Sequence, residues 1–87
     1  MSITTLRNSI EQLFNDKSYQ SVKYVESLQN KKAVMCYYER SSFEVVLTGN
    51  IRSKLEDYKT EYYTYDLQCI KDNKIVWVSY LNLVEIK

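Results

Sequence analysis

The sequence predicts an α+β fold: an N-terminal amphipathic helix packed on a four- to five-stranded, mainly antiparallel sheet, with a short helix near residues 51–58. Three observations predict it. Apolar residues recur at helical spacing between Ser2 and Asp16. They alternate with a period of two through the middle of the chain. Residues 61–81 form two β-rich flanks around the polar tetrapeptide Lys71-Asp72-Asn73-Lys74.

In the first segment, Ile3, Leu6, Ile10, Leu13 and Phe14 fall on one stripe of a helix, with Thr4, Arg7, Asn8, Glu11 and Gln12 on the other side. Ser2 or Thr4 can cap its N-terminus, because a hydroxyl oxygen accepts from an otherwise unpaired backbone N–H. Asn15-Asp16-Lys17-Ser18 ends it with poor helix formers and a basic residue near the negative end of the dipole. Such a stripe has to be covered, most simply by a sheet. The competing reading is a helix that docks in a partner's groove.

Tyr19–Leu28 fits two patterns. Val22, Tyr24 and Leu28 suit a strand, whereas Tyr19, Val22, Val25 and Leu28 suit a second helix; the β-branched and aromatic content favours the strand. Gln29-Asn30-Lys31-Lys32 is a polar turn. Ala33–Glu39 is a continuous apolar run, with Val34, Cys36 and Tyr38 on one face and Met35 and Tyr37 on the other, as in a central strand. Arg40-Ser41-Ser42 connects it to a further strand, in which Phe43, Val45 and Leu47 alternate with Glu44, Val46 and Thr48. Gly49-Asn50 reads as a break or a hairpin turn. After it, Ile51, Leu55 and Tyr58 lie at i, i+4 and i+7, the spacing behind the expected short helix.

The C-terminal hairpin is the most constrained element. Asp and Asn tolerate the positive φ of a two-residue type I′ turn. A turn at Asp72-Asn73 sets Ile70 opposite Ile75, Cys69 opposite Val76, Gln68 opposite Trp77, Leu67 opposite Val78 and Tyr65 opposite Tyr80. One face then carries Tyr65, Leu67, Cys69, Val76, Val78 and Tyr80. The other carries Asp66, Gln68, Ile70, Ile75, Trp77 and Ser79. Slipping by one residue would mix the two sets. Beyond it, Leu81-Asn82 interrupts the pattern, and a bulge or helical turn there leads to a last apolar piece, Leu83, Val84 and Ile86. The stretch Trp77–Val84 is similar to the strand, helical turn and strand that end SH3-like barrels. That resemblance implies an alternative fold: an SH3-like or Sm-like bent barrel with an N-terminal helix.

Composition bounds what this domain can do. The 87 residues suffice for one domain, 1–87. With 45% hydrophobic and 26% charged residues, the chain has the composition of a folded protein. Twelve basic and eleven acidic side chains are interspersed, for a net charge of +1, so long-range attraction to nucleic acid or to an anionic membrane is weak. Two cysteines, Cys36 and Cys69, sit inside apolar strand patterns and read as buried reduced thiols. No segment has the pattern of a signal peptide or of a membrane span, and the expected location is cytoplasmic.

The chain has no His and one Gly. The common catalytic triads, the commonest metal ligand and glycine-rich phosphate loops are therefore absent. The nearest carboxylates, Glu56, Asp57 and Glu61, read as a solvated helix end. The expectation is a protein that is not an enzyme, with no catalytic residues, no metal and no cofactor. Binding remains. Nine Tyr and one Trp offer rigid, amphipathic contact area. Alternation sends Tyr63 and Tyr65 to the core face and leaves Tyr62, Asp66, Gln68 and Trp77 as the expected binding patch. Against it stands the possibility that Trp77 is covered by a second helix or a barrel wall. The predicted function is a non-catalytic protein-binding domain that occupies the surface of a larger partner, as an inhibitor of the antitoxin, immunity or phage anti-defence type. The alternative is a single-stranded RNA- or DNA-binding small β-barrel-like module, in which aromatics stack bases beside Lys23, Lys59, Lys71 and Lys74. Glu44, Glu61 and Asp66 lie among those lysines and rank it second. A homo-oligomer through an edge strand is a third class, since no Pro blocks the edges.

Overall fold

The computed structural model describes residues 2–15, 19–37 and 41–87. The expected helix stop at Asp16-Lys17-Ser18, and Tyr38, Glu39 and Arg40 of the expected strand and connection, lie outside these residues. Helix α1 (Ile3–Leu13) starts at Ser2, whose Oγ accepts from the Thr5 N–H at 3.1 Å. Leu6, Ile10 and Phe14 are buried, while Leu13 is 41% exposed. At 3.6 residues per turn, Leu13 stands about 60° from the Ile10 direction, on the edge of the stripe. The face centres on Leu6, Ile10 and Phe14 instead.

The described strands are β1 (Val22–Tyr24), β2 (Lys32–Tyr37), β3 (Ser41–Asp57), β4 (Tyr62–Lys71), β5 (Lys74–Ser79) and β6 (Leu83–Ile86). They form one antiparallel sheet in the order β5-β4-β3-β2-β6, with β1 paired to β3 beside β2. Six strands replace the expected four to five. The ambiguous segment 19–28 splits between the short strand β1 and a 3-10 turn, Glu26–Leu28. A second 3-10 turn, Tyr80–Asn82, joins β5 to β6, at the place where the sequence pattern breaks.

The expected short helix at 51–58 is not formed. Ile51–Asp57 is the second half of β3, a strand of 17 residues. Helical spacing of Ile51, Leu55 and Tyr58 was outweighed by pairing on both edges. Val22–Tyr24 bonds one side of residues 50–52, and β4 bonds the other from Ile51 to Asp57. The buried set Val45, Leu47, Ile51 and Ser53 shows the period of two running through the whole strand.

Gly49 lets so long a strand bend. The register to β4 shifts between Leu47↔Cys69 and Ile51↔Leu67, so that Thr48, Gly49 and Asn50 together face Gln68. Gly49 has φ +98°. A Cβ there would stand 2.7 Å from the Tyr24 ring and 2.9 Å from the Val25 carbonyl oxygen. The same close approach lets the Val25 N–H donate to the Gly49 carbonyl at 2.7 Å. The shift spans two residues, so odd-numbered side chains stay on the inner face on either side of it.

The hairpin register is as predicted from Asp66↔Ser79 to Lys71↔Lys74. Asp72 and Asn73 have φ +52° and +62°, the signature of a type I′ turn. Only the last predicted pair differs. Tyr80 leaves the ladder as the first residue of the 3-10 turn, yet its ring still meets Tyr65 edge-on at 5.4 Å. The core lies between α1 and the inner face of the sheet: Ala33, Met35, Val45, Leu47, Ile51, Leu67, Cys69, Val78 and Leu83. Among the described residues one buried polar side chain joins them. Ser53 Oγ accepts from the Ser21 N–H at 3.1 Å and lies 3.1 Å from Ser21 Oγ, while the Ser53 N–H donates to the Ser21 carbonyl at 2.8 Å. A buried hydroxyl needs such partners, and here they pin the start of β1 to β3.

Candidate functional site

The outer face of the β4–β5 hairpin is built in rows by the strand register. Val46, Ile70 and Ile75 stand side by side across β3, β4 and β5. Ile70 is 41% and Ile75 65% exposed. The next row sets Gln68 beside Trp77, and the one after sets Val22, Arg52, Asp66 and Ser79 side by side. β5 lies at one end of the strand order, so its far edge has no strand neighbour among the described residues.

The four residues of the expected patch have different surroundings. Trp77 is half-buried, and its ring carries the Arg52 guanidinium at 4.6 Å from the centroid. Arg52 in turn places Nε and Nη2 each 2.9 Å from Asp66 Oδ2. The Asp66 side chain is 14% exposed, so its charge is partly desolvated and held by this pair. Trp77 is therefore covered in part by an arginine, not by a second helix. Gln68 is occupied within the sheet: its Oε1 accepts from Thr48 Oγ1 at 2.8 Å and from Asn50 Nδ2 at 2.9 Å, bridging the Gly49 bulge. A shallow depression of about 210 Å³ beside Trp77 is lined by Gln20, Val22, Arg52 and Lys54.

Tyr62 is not brought to Trp77. A second register shift, between Leu55↔Tyr63 and Asp57↔Tyr62, leaves Glu56 unpaired in the ladder. The twist added there places Tyr62 and Tyr63 along one cleft. This cleft, of about 460 Å³, runs between the end of α1 and the start of β4, and Glu11, Phe14, Glu61, Tyr65 and Tyr80 also line it. Phe14 stacks on Tyr65 at 5.3 Å, and Tyr80 stands at 90° to Tyr65. The Tyr80 hydroxyl donates to Glu11 Oε1 at 2.8 Å. Burial, then this bond and the Glu11 charge, push the Tyr80 phenol up to about 12; burial and Glu11 also raise Tyr65.

Sequence reasoning missed Arg52 and Glu11. Reading residues 51–58 as a strand would have set Arg52 on the Trp77 face, since it alternates with Ile51 and Ser53. Glu11 had no such signal, because its role depends on how the helix crosses the sheet. Cys69 is fully buried and its thiol is pushed up to about 12 by that burial, so at neutral pH it is a protonated core side chain. No helix among the described residues is long and apolar enough to cross a membrane. The chain matches no family model, no curated protein and no solved structure.

Proposed function

We propose that this is a non-catalytic domain that binds a larger protein through the outer face of the β4–β5 hairpin, and that it acts inside the cell by occupying that partner's surface, as an inhibitor does. The observation that carries this reading is the row Val46, Ile70 and Ile75 with Trp77 beside it. Ile70 and Ile75 are exposed and Val46 and Trp77 are half-buried beside them, next to an edge of β5 that has no strand neighbour among the described residues. Apolar and aromatic side chains framed by polar ones make the anchors of protein interfaces. Arg52, paired with Asp66, lies over the Trp77 ring, and a ring packed in this way loses less entropy on binding.

The test is photo-crosslinking in extracts of the native host, with a photoreactive residue at Ile75 in one preparation and at Asn8, on the exposed side of α1, in another. One dominant partner captured from position 75 and not from position 8 is expected. Equal capture from both positions, or none, refutes the reading.

A second reading is a module of the SH3-like or Sm-like kind, its sheet open between β5 and β6 rather than closed into a barrel, that binds single-stranded RNA or DNA. The order β5-β4-β3-β2-β6 and the 3-10 turn before β6 favour it. Arg52 counts against it: the guanidinium that could meet a phosphate is paired with Asp66, and it covers the Trp77 face that could stack a base. Fluorescent oligonucleotides titrated over a salt series decide the matter, because nucleic-acid binding would weaken steeply with salt. A homo-oligomer through the β5 or β6 edge is read directly by light scattering.

A further inference from the structure

The cleft at the end of α1 has a chemistry unlike that of the hairpin's outer face. Its walls are aromatic, and two of them meet at a right angle. Tyr65 and Tyr80 are perpendicular, with centroids 5.4 Å apart, and Phe14 backs Tyr65 at 5.3 Å. Tyr62, 51% exposed, stands at the rim. Among the described residues that line the cleft, Glu11 and Glu61 carry charge and none is basic. Aromatic faces are electron-rich and attract a cation set against them. The Glu11 carboxylate adds an attraction of the same sign. A phosphate or carboxylate ligand would meet repulsion from the Glu11 charge and from the ring faces.

From this we infer that the cleft binds an organic cation of the alkylammonium class, with the positive head against Tyr62, Tyr65 and Tyr80 and its charge balanced by Glu11. The head is either a free amine or a basic side chain of another protein. The inference is independent of the proposed role of the hairpin, because the cleft lies on the helix-bearing side of the sheet. Glu11 is a useful probe. Glu11→Gln keeps an oxygen to accept from the Tyr80 hydroxyl while removing the charge.

The experiment titrates the full chain, isotopically labelled, with choline chloride and, separately, with 3,3-dimethylbutan-1-ol, its neutral counterpart of the same shape. Sodium chloride controls for ionic strength. Choline is expected to saturate at a dissociation constant on the order of millimolar, about fivefold or more tighter than the alcohol. The shifted resonances are those of Glu11, Tyr62, Tyr65 and Tyr80. Glu11→Gln weakens choline about three- to fivefold and leaves the alcohol unchanged, whereas Tyr62→Ala weakens both, choline by about three- to fivefold. Unchanged circular dichroism of both variants shows that they fold. An alcohol that binds as tightly as choline, or shifts equal to those of sodium chloride, overturns the inference. A third ligand, a blocked trimethyllysine, separates the sources. Tighter binding than choline points to a protein side chain, and equal binding points to a free amine.

Discussion

Gly49→Ala is the substitution that most directly tests how the sheet is bent. Two costs can be worked out. Holding a residue with a Cβ at φ +98° strains the backbone by about 1–3 kcal/mol. The new methyl would also stand 2.7 Å from the Tyr24 ring and 2.9 Å from the Val25 carbonyl, distances at which the β1 side must move away. That movement loosens the 2.7 Å bond from the Val25 N–H to the Gly49 carbonyl, about 0.5–1.5 kcal/mol. Together these come to about 2–4 kcal/mol. An 87-residue domain has a total stability of roughly 4–13 kcal/mol, so the loss is a large fraction of it. Guanidinium chloride unfolding followed by circular dichroism is the assay. With a slope of about 2 kcal/mol/M, the midpoint should fall by about 1–2 M. Tyr24 is 53% exposed, so Tyr24→Ala alone should change little. Added to Gly49→Ala, it should restore about 1 kcal/mol by removing one of the two close contacts. A midpoint within about 0.3 M of wild type, or strict additivity in the double variant, would show that Gly49 does not shape the bend as described.

Three further outcomes follow from the same geometry. Gln68→Leu removes the Oε1 that accepts from Thr48 Oγ1 and Asn50 Nδ2, leaving Thr48 the 3.5 Å approach to the residue 68 carbonyl, and should cost about 1–2 kcal/mol in unfolding experiments, with partner capture unchanged per folded molecule. Trp77→Ala should cost only about 1–2 kcal/mol in stability, since the ring is half-buried and loses its contact with Arg52. It should reduce crosslinking to the partner more than tenfold; loss of the folded state without a selective binding defect contradicts the proposed interface. Alkaline pH should unfold the protein. Burial raises Cys69 from 9.0 to about 12, and Tyr80 rises from 10.0 to about 12 through burial and Glu11. The unfolded chain releases these protons first, so the stabilisation is complete below pH 9 and is lost as pH rises toward 12. Cys69→Ala should flatten that loss in a pH series of denaturation midpoints; an unchanged slope would contradict it.

The hairpin could be read from residues alone because two independent constraints agreed. The Asp72-Asn73 turn chemistry and the alternation of its flanks specify the same register. In α1 the stripe and the Ser2 cap were similarly local. Residues 51–58 failed for a physical reason. Ile51, Arg52, Ser53, Lys54 and Leu55 alternate as a strand only if Ser53 counts as an inner residue. Its hydroxyl is met there by Ser21, 32 positions earlier. Nothing near Ser53 in sequence announces that partner. The structure divides the expected patch at Tyr62 for a related reason. Strict alternation put Tyr62 beside Trp77, but the register shift at Glu56 turns it into the cleft. Asp66, Gln68 and Trp77 were placed on the correct face, while the Arg52 that links two of them was hidden by the helical reading.

The serine pair at the edge of the sheet also has a consequence for dynamics. All three residues of β1 are exposed, and it is held on β3 by backbone bonds, the contact of Ser21 with Ser53 and the Tyr24 ring against Gly49. Peeling β1 away would uncover little apolar surface, so it should open far more often than the whole domain unfolds. Amides of β1 should then exchange with deuterium by local opening, while those between β3 and β4 wait for global unfolding. Each such opening would bare the edge of residues 50–52, a transient strand edge in the middle of β3 that the closed structure conceals.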